Sequence, residues 1–197
     1  MQAPINIIAP VEDKLGNTGL PFSIDYNFAH SVPVLVQSNG VEIVVKLLEN
    51  AGAFKIVYRV DGRMLSFHPR QISFRFPAEH TINSYRLDGE IIIVCEEVTP
   101  YDIGALSITN GLEFVIPIQF NPSAPEYEEL NELNPDMWRI EVTKNGFHGY
   151  RPKDPLTSKN AKFKLRSFMH KVMLLRSDSS MYMGTATTPP CAGNYKQ

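Results

Sequence analysis

The chain reads as a single, mainly β domain. Short apolar runs rich in β-branched residues recur between turn signals, one stretch alone has helical spacing, and no internal repeat divides the 197 residues. A composition of 43% hydrophobic and 20% charged residues is ordinary for a globular protein, and the length suffices for one sizeable core. The spacing predicts strands near 32–37, 41–48, 53–60, 71–76, 89–95, 112–120, 138–143 and 168–175. The segments at 37–40 (QSNG) and 87–89 (LDG) are the turn signals between them. The helix is predicted over 125–133: Ser123 can cap it, Pro125 suits its first turn, and Tyr127, Leu130 and Leu133 share one face.

Charge and composition exclude several classes of function. A net charge of −2 argues against a nucleic-acid binder or a membrane-surface protein. The longest apolar runs, at 32–36 and 91–94, are too short to span a bilayer, and no charged-then-apolar leader precedes them, so neither a signal peptide nor a transmembrane segment is expected. Cys95 and Cys191 do not make a disulfide framework. Charge is uneven in the second half, where Glu126, Glu128, Glu129, Glu132 and Asp136 form an acidic run. From Arg151 to Arg176 the balance reverses, with Lys153, Lys159, Lys162, Lys164, Arg166 and Lys171 against Asp154. Two readings stand for the basic run: a docking surface for an anionic partner, or a solvated loop.

General chemical motifs are missing. There is no Gly-rich phosphate loop, Cys-X-X-Cys or His-Glu-X-X-His, and the five histidines (30, 68, 80, 148 and 170) are scattered. A triad of Ser, His80 and an acid can be assembled on paper, but nothing in the sequence places its members together. The stretch 72–81 (ISFRFPAEHT) poses the sharpest question, since its alternation is that of a half-buried strand whose polar side carries an arginine.

Five segments, in order, resemble the α-class carbonic anhydrases: QAPINI at 2–7, VQSNG at 36–40, PAEHTIN at 77–83, YRLDGEIIIV at 85–94 and YMGTATTPPC at 182–191. The resemblance implies a large twisted central β-sheet with few short helices. It also implies a conical cavity ending at a zinc ion held by three histidines, whose fourth position holds a water acidified to a pKa of about 7 for attack on carbon dioxide. In the family two of those histidines alternate along one strand, and the third follows a motif glutamate by two residues on the next.

At each ligand position this chain departs. The first two fall on Ser73 and Arg75, and the third on Ile92, two residues after Glu90. Strand alternation supports the match: 73 and 75 share one face of their strand, and 90 and 92 share one face of the next. Serine is a poor zinc ligand, isoleucine cannot ligate, and arginine brings positive charge to a cation site. The proton-shuttle histidine is replaced by Val41. Glu79 and Thr187, which in the family orient the metal-bound hydroxide, are present and are expected to act as a structural cross-link. Cys95 replaces another family histidine and reads as a buried thiol, while Cys191 lacks its family partner.

The sequence-level expectation is therefore one carbonic-anhydrase-like domain over 1–197 without the family's N-terminal segment and about its last fifty residues. It is expected to be catalytically inactive, with no catalytic residues, no bound zinc and no other cofactor, and to serve as a structural or interaction subunit with other protein chains completing or covering its sheet. The segment 144–167 is the expected contact surface. The alternatives are an active zinc enzyme, and a module holding a small anion or glycan in the vacant cavity with Arg75 as anchor. Within the site, Arg75 is expected to pair with Glu90, with Glu79 as second partner.

Overall fold

The computed structural model describes residues 6–7, 22–38, 42–58, 62, 64–98, 111–124, 128–133, 142–143, 146–147, 156–174, 183–184 and 195–196. Its centre is a ten-stranded sheet. In chain order the strands are β1 (Asn6–Ile7), β2 (Phe22–Phe28), β3 (Val32–Ser38), β4 (Glu42–Leu47), β5 (Gly52–Tyr58), β6 (Met64–Arg75), β7 (Thr81–Ile82), β8 (Tyr85–Arg86), β9 (Gly89–Glu97) and β10 (Gly111–Ile118). The short helix α1 (Glu128–Asn131), β11 (Val142–Thr143), β12 (Gly146–Phe147), β13 (Leu156–Phe163), helix α2 (Leu165–Leu174), β14 (Met183–Gly184) and β15 (Tyr195–Lys196) follow. Across the large sheet the order is β13-β3-β4-β6-β9-β10-β15-β14, with β5 also paired to β6 and β2 paired to β5.

The twelve-residue β6 organises this sheet. Along one edge its first part pairs with β5 and its second part with β4, while the other edge pairs with β9. The β6–β9 register shifts between Pro69 and Gln71, where proline has no N–H to give to the ladder. Arg70, in the shifted step, turns outward to an exposed ion pair with Glu96.

Two faces result from the alternation of side chains. Ile43 and Val45 on β4, Ile72 and Phe74 on β6, and Ile91 and Ile93 on β9 lie in register on one face and belong to the main core. Phe28, Phe54 and Phe114 extend that core, with ring centroids 4.8 Å and 4.4 Å apart along the series. Helix α2 covers the same face: Leu165, Phe168, Met169 and Val172 recur at helical spacing, all are buried, and Phe168 meets Phe74 and Phe163.

That helix corrects the strand expected at 168–175. The apolar run there is short and contains a β-branched residue, so its length alone suits either element. The stripe begins at Leu165 and steps by three and four residues, and a helix buries all four members on one side where a strand would turn some of them outward. The expected helix over 125–133 is present as α1 followed by a turn that carries buried Leu133, while 125–127 lie outside the described residues. Of the strand expected at 138–143, the described part is Val142–Thr143. Among the strands longer than two residues, β2, the first half of β6 and β13 had not been read from the sequence. In β2 the signal was present, since Ile24, Tyr26 and Phe28 alternate with exposed Ser23, Asp25 and Asn27.

Candidate functional site

The chain leaves β6 at Arg75, passes a cis Phe76–Pro77 bond, and turns back over the sheet before re-entering it as β9. Strands β7 and β8 form a two-residue hairpin in this excursion, with Asn83 and Ser84 both at positive φ, as the favoured hairpin turn demands. Asn6 on β1 holds that turn. Its Oδ1 accepts hydrogen bonds from the Thr81 hydroxyl (2.9 Å) and the Ser84 N–H (2.8 Å), and its Nδ2 donates to Ser84 Oγ (3.1 Å). Residues 6–7 and 81–82, remote in sequence, thus meet: β1 pairs with β7 in parallel. Gly89 closes the excursion where a Cβ would come within 2.5 Å of the Phe76 ring and 2.8 Å of the Arg75 carbonyl oxygen.

Beneath this loop lies the sheet face opposite the main core. Glu42, Arg75 and Glu90 stand in register across β4, β6 and β9, and Val44, Ser73 and Ile92 form the next row. The four residues singled out on alternation, Ser73, Arg75, Glu90 and Ile92, are therefore brought together and are all buried. Ser73 Oγ accepts a hydrogen bond from Gln71 Nε2 at 2.9 Å.

The Arg75–Glu90 pair expected from the sequence is not formed. Arg75, with a side chain 6% exposed, directs Nε to Glu42 Oε2 at 3.1 Å and Nη1 to Glu79 Oε2 at 2.6 Å. Glu79 had been the second choice; Glu42 had not been foreseen. Arg75 has a carboxylate directly opposite on each neighbouring strand, and the loop decides between them. His80 folds back over β9 and takes Glu90, donating its main-chain N–H at 3.2 Å and its ring Nδ1–H at 3.0 Å to Oε2. With that carboxylate occupied, the guanidinium turns to the more open side, where Glu42 is 15% and Glu79 41% exposed.

Glu90 and His80 form the most deeply buried polar pair of the site. Burial alone pushes the Glu90 carboxyl up, but the ring and main-chain donors of His80 outweigh it and hold the group below the usual carboxylate range. Glu90 Oε1 is buried and has no hydrogen-bond partner. Cys95 points into the main core, away from these groups, and burial raises its thiol well above its ordinary value, with the Glu113 charge adding to the shift.

This donor set does not fit zinc. Ile92 offers no ligand atom, Arg75 is a cation with two carboxylates already on its donors, and Ser73 is bonded to Gln71. Among the described residues no three His, Cys, Asp or Glu side chains converge to hold a metal ion. Val41, Thr187 and Cys191 lie outside the described residues.

The two charge runs of the second half meet each other. Lys171 Nζ lies 2.8 Å and 2.9 Å from the two Glu129 oxygens, Ser167 donates to Glu129 as well, and Lys164 Nζ lies 2.8 Å from Glu132. The solvated-loop reading does not hold for 165–174, which form a helix, and Lys164 and Lys171 are paired with Glu132 and Glu129 of the acidic run. Burial pushes the Glu129 carboxyl up, but the Lys171 and Ser167 hydrogen bonds prevail and lower it to about 2. In the segment 144–167, residues 156–163 form the strand β13 against β3.

No protein-family model and no curated protein sequence matches the chain. Solved structures do match. Dioscorin, solved in complex with ascorbate, superposes with a TM-score of 0.60 at 19% identity, over 99% of this chain and 66% of dioscorin. The alpha carbonic anhydrase of the fungus Aspergillus oryzae gives a TM-score of 0.61 at 15% identity, over 99% of this chain and 68% of the enzyme. The alpha-carbonic anhydrase of Thermovibrio ammonificans gives 0.59 at 23% identity, over 99% and 69%. The chain thus spans about two thirds of the length of these proteins. Its ten-stranded sheet with few short helices is the fold of the alpha-carbonic anhydrases.

Proposed function

We propose that this chain is a carbonic-anhydrase-family protein that has lost zinc and hydratase chemistry, and that it acts as a structural or interaction subunit among other protein chains. One observation carries the reading: the guanidinium of Arg75 lies buried between Glu42 and Glu79, on the sheet face that carries Ser73 and Ile92, where the five-segment resemblance puts zinc ligands. The proposal takes Ser73, Arg75 and Ile92 as former ligand positions, Glu90 as the carboxylate that once accepted a hydrogen bond from a ligand histidine, Val41 as the former shuttle position, and Glu79 and Thr187 as vestigial. Glu79 supports this with a structural role, since it binds Arg75. An anion site anchored on Arg75 is disfavoured, because the donors of that arginine already face two carboxylates.

The test uses the full native protein. Elemental analysis is expected to find no stoichiometric zinc, and stopped-flow assays no hydration of carbon dioxide above a buffer blank. Near-unit zinc with sulfonamide-sensitive activity would overturn the catalytic half of the proposal. The interaction half predicts other chains co-purifying from the native source under gentle conditions. A monodisperse single polypeptide would overturn that half.

A further inference from the structure

A hollow of about 330 Å³ opens where the end of β2 and the start of β5 meet the first turn of α2, lined by Asn27, Phe28, Ala29, Asn50, Gly52 and Arg166. It belongs to the α2 side of the sheet, since α2 packs on Phe74, whereas Arg75 points to the other face. We propose that this hollow binds a small ligand through an oxyanion group, a phosphate or a carboxylate, with Arg166 as its anchor.

The geometry of Arg166 is the first reason. Its Nε donates to the Phe28 carbonyl oxygen at 2.7 Å, which fixes the plane of the guanidinium and leaves the two terminal nitrogens as the fork that matches an oxyanion in two places. Preorganisation of this kind reduces the ordering cost of binding. The composition of the walls is the second reason. None of the lining residues is acidic, so none of them competes for the fork as Glu42 and Glu79 do for Arg75. Asn50 adds an amide: it turns its oxygen to the Gly52 N–H at 3.1 Å, which leaves its NH₂ group to donate. Arg166 also stands in the first turn of a ten-residue helix, whose N-terminal end carries partial positive charge.

The floor explains why the space exists. Gly52 sits at φ 103°, and a Cβ there would lie 2.1 Å from the Asn27 carbonyl oxygen. The backbones of β2 and β5 therefore approach as only glycine allows, and no side chain rises from that point of the floor.

Isothermal titration of the whole chain with inorganic phosphate, glucose 6-phosphate and glucuronate tests the proposal, and the arms separate a phosphate from a carboxylate ligand. At least one probe is expected to bind in the micromolar-to-millimolar range. Arg166→Gln, which keeps an amide able to reach the Phe28 carbonyl, should weaken it about tenfold or more, as loss of a hydrogen-bonded charge implies. Asn50→Ala, on a separate part of the lining, should weaken binding about threefold, and decides the matter if Arg166→Gln does not fold. Lys46→Gln removes the same charge from an exposed position on β4 and should change nothing. Absence of binding by all three probes, wild-type affinity in Arg166→Gln, or equal loss in Lys46→Gln would each overturn the proposal.

Discussion

Replacing Arg75 with alanine tests the electrostatics of the buried row most directly. The substitution leaves two carboxylates without their cation, but not equally. Glu79, at 41% exposure, can turn to water, whereas Glu42, at 15%, is held against the sheet and keeps most of the desolvation penalty. Breaking a buried pair from one side costs about 3–5 kcal/mol, and with one of two partners able to resolvate, the lower end applies, about 3 kcal/mol. For a chain of this size that corresponds to a fall in Tm of about 6–12 °C. Urea denaturation with an unchanged m-value is the measurement. Glu42→Gln alone should cost about 1–2 kcal/mol, because Arg75 keeps Glu79. The double variant Arg75→Ala, Glu42→Gln should cost less than the sum of its parts by at least about 1 kcal/mol, the signature of a direct contact. A loss below about 1 kcal/mol for Arg75→Ala, or strict additivity in the cycle, would refute the reasoning.

Three further outcomes follow from the same geometry. The Glu129 carboxyl is lowered to about 2 in the folded state from 4.5, so its stabilisation is fully present above about pH 5 and is lost as pH falls toward 2; thermal unfolding from pH 7 to 2 should show a loss of about 1–3 kcal/mol that flattens in Glu129→Gln. His80→Ala removes the ring donor from Glu90 and should cost about 2 kcal/mol at pH 7 but less at pH 5, where the stranded carboxyl takes a proton; equal costs at both pH values would show that Glu90 does not depend on that ring. Gly89→Ala drives a methyl into the Phe76 ring and the Arg75 carbonyl, with an expected cost of about 1–3 kcal/mol by urea titration, and a neutral result would mean that the loop yields freely.

Period-two alternation was enough to place Ser73 with Arg75 and Glu90 with Ile92 on shared faces, because a strand has no other way to orient successive side chains. The same rule made the chain legible as a mainly β domain, and five ordered segments tied it to a fold that the solved structures then matched. Two kinds of information were not available from the chain order. Strand neighbours come from the sheet order, and β4 beside β6 put Glu42 opposite Arg75 across 33 residues of chain, where no local pattern points. The second is the path of the loop: residues 76–80 return over β9, and that fold gave Glu90 to His80 and sent Arg75 to Glu42 and Glu79. Likewise, an acidic run and a basic run read as surface features until α1 and α2 packed side by side and paired them. Local periodicity sets which way a side chain faces, whereas the partner it finds depends on which distant backbone is folded against it.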